Sequence, residues 1–107
     1  MSEPVMGASG AGTVVLDLGA GIGALVLYTP PALDGEEIEI SRPGHARTHS
    51  RVRPRVTSAG TRYAAVYPGL PAGQYTIWRS ADRPGDGEPV MTIAIAGGSV
   101  TSCRWPD

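Results

Sequence analysis

From Thr13 onward the chain alternates apolar and polar residues with a period of two. Val14, Leu16 and Leu18 point one way with Asp17 opposite, and Ile38 and Ile40 alternate with Glu37 and Glu39. Successive side chains of an extended backbone project to opposite faces, so this spacing makes strands with one dry face and one wet face. The pattern predicts eight strands, over residues 13–18, 23–28, 36–41, 47–56, 61–67, 74–80, 89–96 and 99–105. Between them lie Pro30-Pro31, Asp34-Gly35, Arg42-Pro43-Gly44, Ala59-Gly60, Pro68-Gly69, Pro84-Gly85-Asp86-Gly87 and Gly97-Gly98. Each of these fixes φ or tolerates a positive one, which is the chemistry of turns. No window of twelve residues carries a helical repeat free of Pro or paired Gly. The expected fold is therefore all-β: a single small antiparallel β-sandwich of seven to eight strands, with Gly97-Gly98 turning a hairpin.

At 107 residues the chain has the length of one domain, which buries roughly two-thirds of the surface its unfolded form exposes. Residues 1–12 are small, polar and glycine-containing, and read as a flexible leader to a domain spanning 13–107. Lys, Phe and Asn are absent and Gln occurs once, at Gln74. These residues share AT-rich codons, so a GC-rich bacterial genome accounts for a basic set made only of arginine. A formal net charge of -1 argues against a globally basic nucleic-acid binder. The single cysteine, Cys103, excludes an intrachain disulfide framework and suits a reducing compartment. Met1-Ser2-Glu3-Pro4-Val5-Met6 lacks a basic and an apolar leader region, and no apolar run approaches membrane-spanning length. A cytoplasmic protein without membrane contact is the expectation.

The segment Val14-Val15-Leu16-Asp17-Leu18-Gly19-Ala20-Gly21-Ile22-Gly23 resembles the first motif of S-adenosylmethionine-dependent methyltransferases. There a hydrophobic strand enters a glycine turn that opens a helix. Here Ala24-Leu25-Val26-Leu27-Tyr28-Thr29 runs into Pro30-Pro31, leaving less than two turns of helix before a residue type that costs about 3 kcal/mol inside one. Gly19, Gly21 and Gly23 therefore read as a tight connection between two strands, with Asp17 facing solvent. A methyltransferase fragment is the remote alternative.

A second segment, Tyr63-Ala64-Ala65-Val66-Tyr67-Pro68-Gly69-Leu70-Pro71-Ala72-Gly73-Gln74-Tyr75-Thr76-Ile77-Trp78, resembles the strand–turn–strand signature of prealbumin-like sandwiches. These include the Cna-B repeats and the carboxypeptidase regulatory-like domains. The resemblance implies a prealbumin/immunoglobulin-like sandwich in which Leu70 plugs one end and Gly73 supplies flexible backbone. In it Tyr75 and Ile77 alternate inward while Thr76 and Trp78 face away. The lysine–asparagine isopeptide bond of many Cna-B domains is impossible here, because the chain has neither residue. Gly23-Ala24-Leu25-Val26-Leu27-Tyr28-Thr29-Pro30 and Glu37-Ile38-Glu39-Ile40-Ser41 also resemble short proteins of GC-rich bacteria labelled phospholipase. A phospholipase D-type site needs His-x-Lys, and there is no Lys.

Candidate chemistry gathers at residues 45–55. Arg47, His49, Arg51, Arg53 and Arg55 fall at alternate positions, so one continuous strand would carry all five on one face as an anion or partner platform. The competing reading is cross-strand pairing, with a hairpin at Arg42-Pro43-Gly44-His45 setting Glu39 opposite Arg47 and Glu37 opposite His49. In that arrangement Arg51, Arg53 and Arg55 outrun the acidic strand. His45, His49 and Cys103 are the possible metal or hydrolase set, although two histidines four apart on a strand stand roughly 13 Å apart. No serine sits in a nucleophile-elbow context. Trp78 and Trp105 read as core fillers; if exposed, they would mark a partner or carbohydrate surface with Tyr28 or Tyr67. No cofactor is implied. The expected function is a non-catalytic binding or accessory module acting through protein–protein contact, with homodimerisation through an edge strand as a second mode.

Overall fold

The computed structural model describes residues 19–79 and 87–106. The expected leader, the strand at 13–18 and Asp17 lie outside them. The described residues hold no α-helix and form eight strands in two sheets of four. The strands are β1 (Ile22–Thr29), β2 (Glu37–Ser41), β3 (Thr48–Arg51), β4 (Arg53–Thr57), β5 (Gly60–Pro71), β6 (Gly73–Arg79), β7 (Pro89–Ile95) and β8 (Val100–Arg104). The first sheet has the order β4-β5-β1-β8 and the second β3-β2-β6-β7.

Local alternation explains which residues meet between the sheets. Leu25 and Leu27 of β1, Ile38 and Ile40 of β2, Ala65 and Tyr67 of β5, and Tyr75 and Ile77 of β6 are all buried in one core, each two residues apart on its strand. Leu70 is buried in that core, and Leu33 enters it from a short 3-10 turn over Pro31–Leu33. Burying a side chain of this size stabilises the fold by about 1.5–3 kcal/mol.

Pairing is antiparallel except between β1 and β8, which run parallel with Tyr28 beside Arg104 and Leu27 beside Cys103. The sandwich is therefore mixed rather than wholly antiparallel. The reason lies in the connection before β8. Gly97-Gly98 does not turn a hairpin: β7 belongs to one sheet and β8 to the other, so the glycines carry the chain across the sandwich. Gly98 has a φ of +77°, and a Cβ on Gly97 would stand 2.0 Å from the carbonyl oxygen of Ala20.

The glycine motif also takes its meaning from packing. Gly19 accepts a turn hydrogen bond from the amide of Ile22, and the chain then enters a strand, where a methyltransferase cofactor loop needs a helix. Gly23 lies within β1, not in the turn.

The expected continuous strand at 47–56 is broken at Val52. Its amide donates to the carbonyl of Glu36, its own carbonyl accepts from Gly35, and its side chain is fully buried. The chain thus leaves the second sheet as β3 and enters the first as β4. A single apolar residue between arginines turns what looks like one strand into two.

Candidate functional site

The switch at Val52 divides the five basic positions between two sheets, so they do not form a single stripe. Arg47, His49 and Arg51 go with the second sheet, where they meet its carboxylates. Arg47 Nη1 donates to Glu39 Oε1 at 2.9 Å, and Arg51 Nη2 donates to Glu37 Oε2 at 3.1 Å. The backbone register sets Glu39 opposite His49 and Glu37 opposite Arg51, two residues from the expected alignment. Arg47 still reaches Glu39 diagonally, and His49 Nε2 lies 3.9 Å from Glu37. Arg51 is consequently paired, contrary to the expectation that it outruns the acidic strand. Arg79 completes the set by donating to both carboxylate oxygens of Glu36 at 3.3 and 3.1 Å. Exposed pairs of this kind contribute about 0–1 kcal/mol each.

Trp78 is not a core filler. It lies half-buried on the outer face of the second sheet, with the Arg47 guanidinium 3.8 Å from its ring centre and its Nε1 donating to Ser41 Oγ at 3.1 Å. Trp105 packs against the core edge.

Arg53 and Arg55 behave differently, because β4 places them on the first sheet. Register aligns Arg53, Ala64, Tyr28 and Arg104 in one row across β4, β5, β1 and β8, and sets Arg55 opposite Arg62 in the next. Directly paired residues share a face, and Leu27, Ala65 and Cys103 point to the core, so this row points outward. The four strands of this sheet contain no Asp or Glu. Burial, and then the charge of Arg53, lower the pKa of the Arg55 guanidinium. Arg55 Nε donates to the carbonyl of Ala64 at 3.4 Å. Arg62 and Arg104 were not singled out by the sequence pattern, since they are far apart in the chain and join the basic face only through strand pairing, Arg62 opposite Arg55 of β4 and Arg104 beside Tyr28 of β1. The sole hint in sequence was that β1, β5 and β8 lack acids.

Beside this face is an open groove of about 300 Å³. Tyr28, Tyr63 and Trp105 line it together with Pro30 and Pro31, and its cations are Arg62 and Arg104. The Arg62 guanidinium lies over the Tyr28 ring at 3.8 Å, a cation–π contact that holds the fork in place. Among the described residues no carboxylate lines the groove, and Arg62 and Arg104 have none in ion-pair reach.

The metal and hydrolase set does not assemble. His45 lies in the β2–β3 turn and His49 on β3 at one edge of the second sheet, whereas Cys103 is on β8 at an edge of the first. Among the described residues no group of three or more His, Cys, Asp or Glu could hold a metal ion. Cys103 is half-buried, and burial pushes its thiol up. Alkylation by iodoacetamide near neutral pH is expected to run about ten-fold slower at Cys103 than for free cysteine, because less thiolate is present. A rate equal to that of free cysteine would show an activated nucleophile instead. No helix among the described residues is long and apolar enough to cross a membrane.

No family model matches this chain, and no curated protein does. Among solved structures it is similar to part of a leucine-rich repeat protein from Bacteroides thetaiotaomicron, at 13% identity and a TM-score of 0.45. That match covers 79% of this chain and 12% of the other, so this chain spans about an eighth of the length of that protein.

Proposed function

We propose that this domain is a non-catalytic binding module of the prealbumin-like type that holds an acidic protein partner on the outer face of the β4-β5-β1-β8 sheet. The observation that carries the reading is the segregation of charge. Glu36, Glu37 and Glu39 are taken up by Arg79, Arg51 and Arg47 at the second sheet. The first sheet presents Arg53, Arg62 and Arg104 with no acid in its strands. Guanidinium groups arranged in rows suit carboxylates, which they contact through two parallel hydrogen bonds. The prealbumin-like assignment is supported by Leu70 buried in the core, a φ of +150° at Gly73 where the chain changes sheet, and Tyr75 and Ile77 pointing inward.

A protein partner is favoured over nucleic acid because the cations form a compact patch on a chain of net charge -1. Duplex binding draws on a long track of phosphate contacts. Homodimerisation through β4 is disfavoured by Pro54, which stands between Arg53 and Arg55 and removes a backbone donor from that edge.

Calorimetric titration with a short glutamate-rich peptide at low salt tests the reading. The double variant Arg53→Ser/Arg104→Ser is expected to bind about ten-fold more weakly, the sum of two exposed charge-assisted contacts. Arg79→Ser, on the other sheet, is expected to bind like the parent. Equal affinities for all three proteins would overturn the proposal.

A further inference from the structure

We infer that the groove beside Tyr28 is the specificity pocket of this face, and that it takes an aromatic side chain flanked by carboxylates in the acidic partner. This rests on the binding role just proposed and adds which acidic segment is selected. Three features of the groove converge on that chemistry.

The first is its size. About 300 Å³ is at the small end of ligand cavities and adequate for one ring. The second is the stacked guanidinium. The exposed Arg62 guanidinium is held over the Tyr28 ring, 3.8 Å from its centre, so the side away from that ring can receive a partner. A planar group can stack on the free face while a neighbouring carboxylate meets the edge. The third is the lining. Trp105, Tyr63 and the two prolines provide apolar surface, Arg104 adds a second cation, and no described acid lines the groove. A purely aliphatic partner residue would leave the stacking face unused. A purely acidic segment would leave the rings against water. An aromatic residue between acids satisfies both, in the manner of an anchor residue filling a pocket at an interface.

The groove is also continuous with the basic face. Tyr28 and Arg104 belong to the row that contains Arg53. A bound strand of partner could therefore place its ring in the groove and its remaining carboxylates along the arginines. That continuity distinguishes the groove from an isolated small-molecule site.

Two peptides separate this inference from the reading on which it rests: Glu-Glu-Asp-Phe-Glu-Glu and its counterpart with Ala in place of Phe. The parent protein is expected to bind the Phe peptide about ten-fold more tightly. Thr61→Glu, an exposed position on the groove wall, would set a charged group where the incoming ring is to lie, away from the arginine row. It is expected to abolish the preference for Phe while retaining affinity for the Ala peptide within about three-fold, with an unchanged thermal midpoint. Equal binding of both peptides by the parent protein would overturn the pocket and leave the basic face standing. Binding of neither would overturn both. A preference for Phe that survives in a folded Thr61→Glu protein would place the ring elsewhere and also defeat the inference.

Discussion

Alanine in place of Gly23 is expected to destabilise the domain by about 3 kcal/mol, read as a lower urea midpoint with an unchanged slope. Gly23 is buried in β1, and a Cβ there would stand 2.3 Å from the carbonyl oxygen of Ala96 and 2.8 Å from Ile95 Cγ2. The nearest obstacle is backbone, which cannot swing aside as a side chain would. That backbone is fixed by hydrogen bonds on both sides, from Ala24 N to Ser99 O at 3.0 Å and from Gly98 N to Ile22 O at 2.7 Å. Making room for one methyl group would therefore strain or break the contacts that carry the chain from β7 across to β8. Gly69→Ala is the control. Its Cβ would meet only Ile22 Cγ2, at an ordinary 3.8 Å, and the change is expected to stay within about 0.5 kcal/mol. A Gly23→Ala protein as stable as the parent would show that the crossing is looser than this packing implies.

The second large effect is a loss of stability in alkali that runs through one phenol. Tyr67 extends from β5 across the core, and its hydroxyl donates to the carbonyl of Ile38 on β2, joining the two sheets. Burial first, and the charges of Glu39 and Glu37 after it, raise its pKa well above the ordinary value, against a hydrogen bond with the backbone of Ser50 that lowers it. The folded state thus holds the neutral phenol, whereas in the unfolded chain it ionises near pH 10. A raised folded pKa means that the contribution is complete below the unfolded pKa and is lost as pH climbs above it. Stability is expected to fall by roughly 1 kcal/mol per pH unit above pH 10 through this group alone. Tyr67→Phe separates the terms. Near neutral pH it leaves the Ile38 carbonyl without its donor and costs about 1–2 kcal/mol. Above about pH 11 the variant is expected to match or exceed the parent, because it has no phenol to ionise. Parallel pH profiles for the two proteins would exclude Tyr67 as the source of the alkaline loss.

Much of the architecture could be read from particular residues. Ile38 and Ile40 against Glu37 and Glu39 give β2 and its buried face directly, and Arg42-Pro43-Gly44-His45 gives the hairpin that follows, with Gly44 at a φ of +76°. Pro30-Pro31 ruled out a helix after the glycines, and β1 occupies that place. Tyr75 and Ile77 point inward as their spacing requires. The basic site was legible only in half. Arg53 and Arg55 are adjacent in sequence to the arginines that proved to be paired, and nothing local separates the two groups. Arg62 and Arg104 carried no signal, because each is a lone arginine in an otherwise ordinary strand.

Residue spacing alone makes this a chain of strands, and it marks which residues of each are dry and where most of the turns fall. These properties follow from side-chain spacing and backbone restrictions that act within a few residues. Only the tertiary structure decided which sheet each strand joins. Val52 moves β4 away from β3, Gly97-Gly98 moves β8 away from β7, and those two crossings decide which arginines meet carboxylates and which gather around Tyr28. Alternation repeats every two residues and is the same in either sheet. Charge pairing depends on which distant strand lies alongside, a choice made by the packing of the whole core.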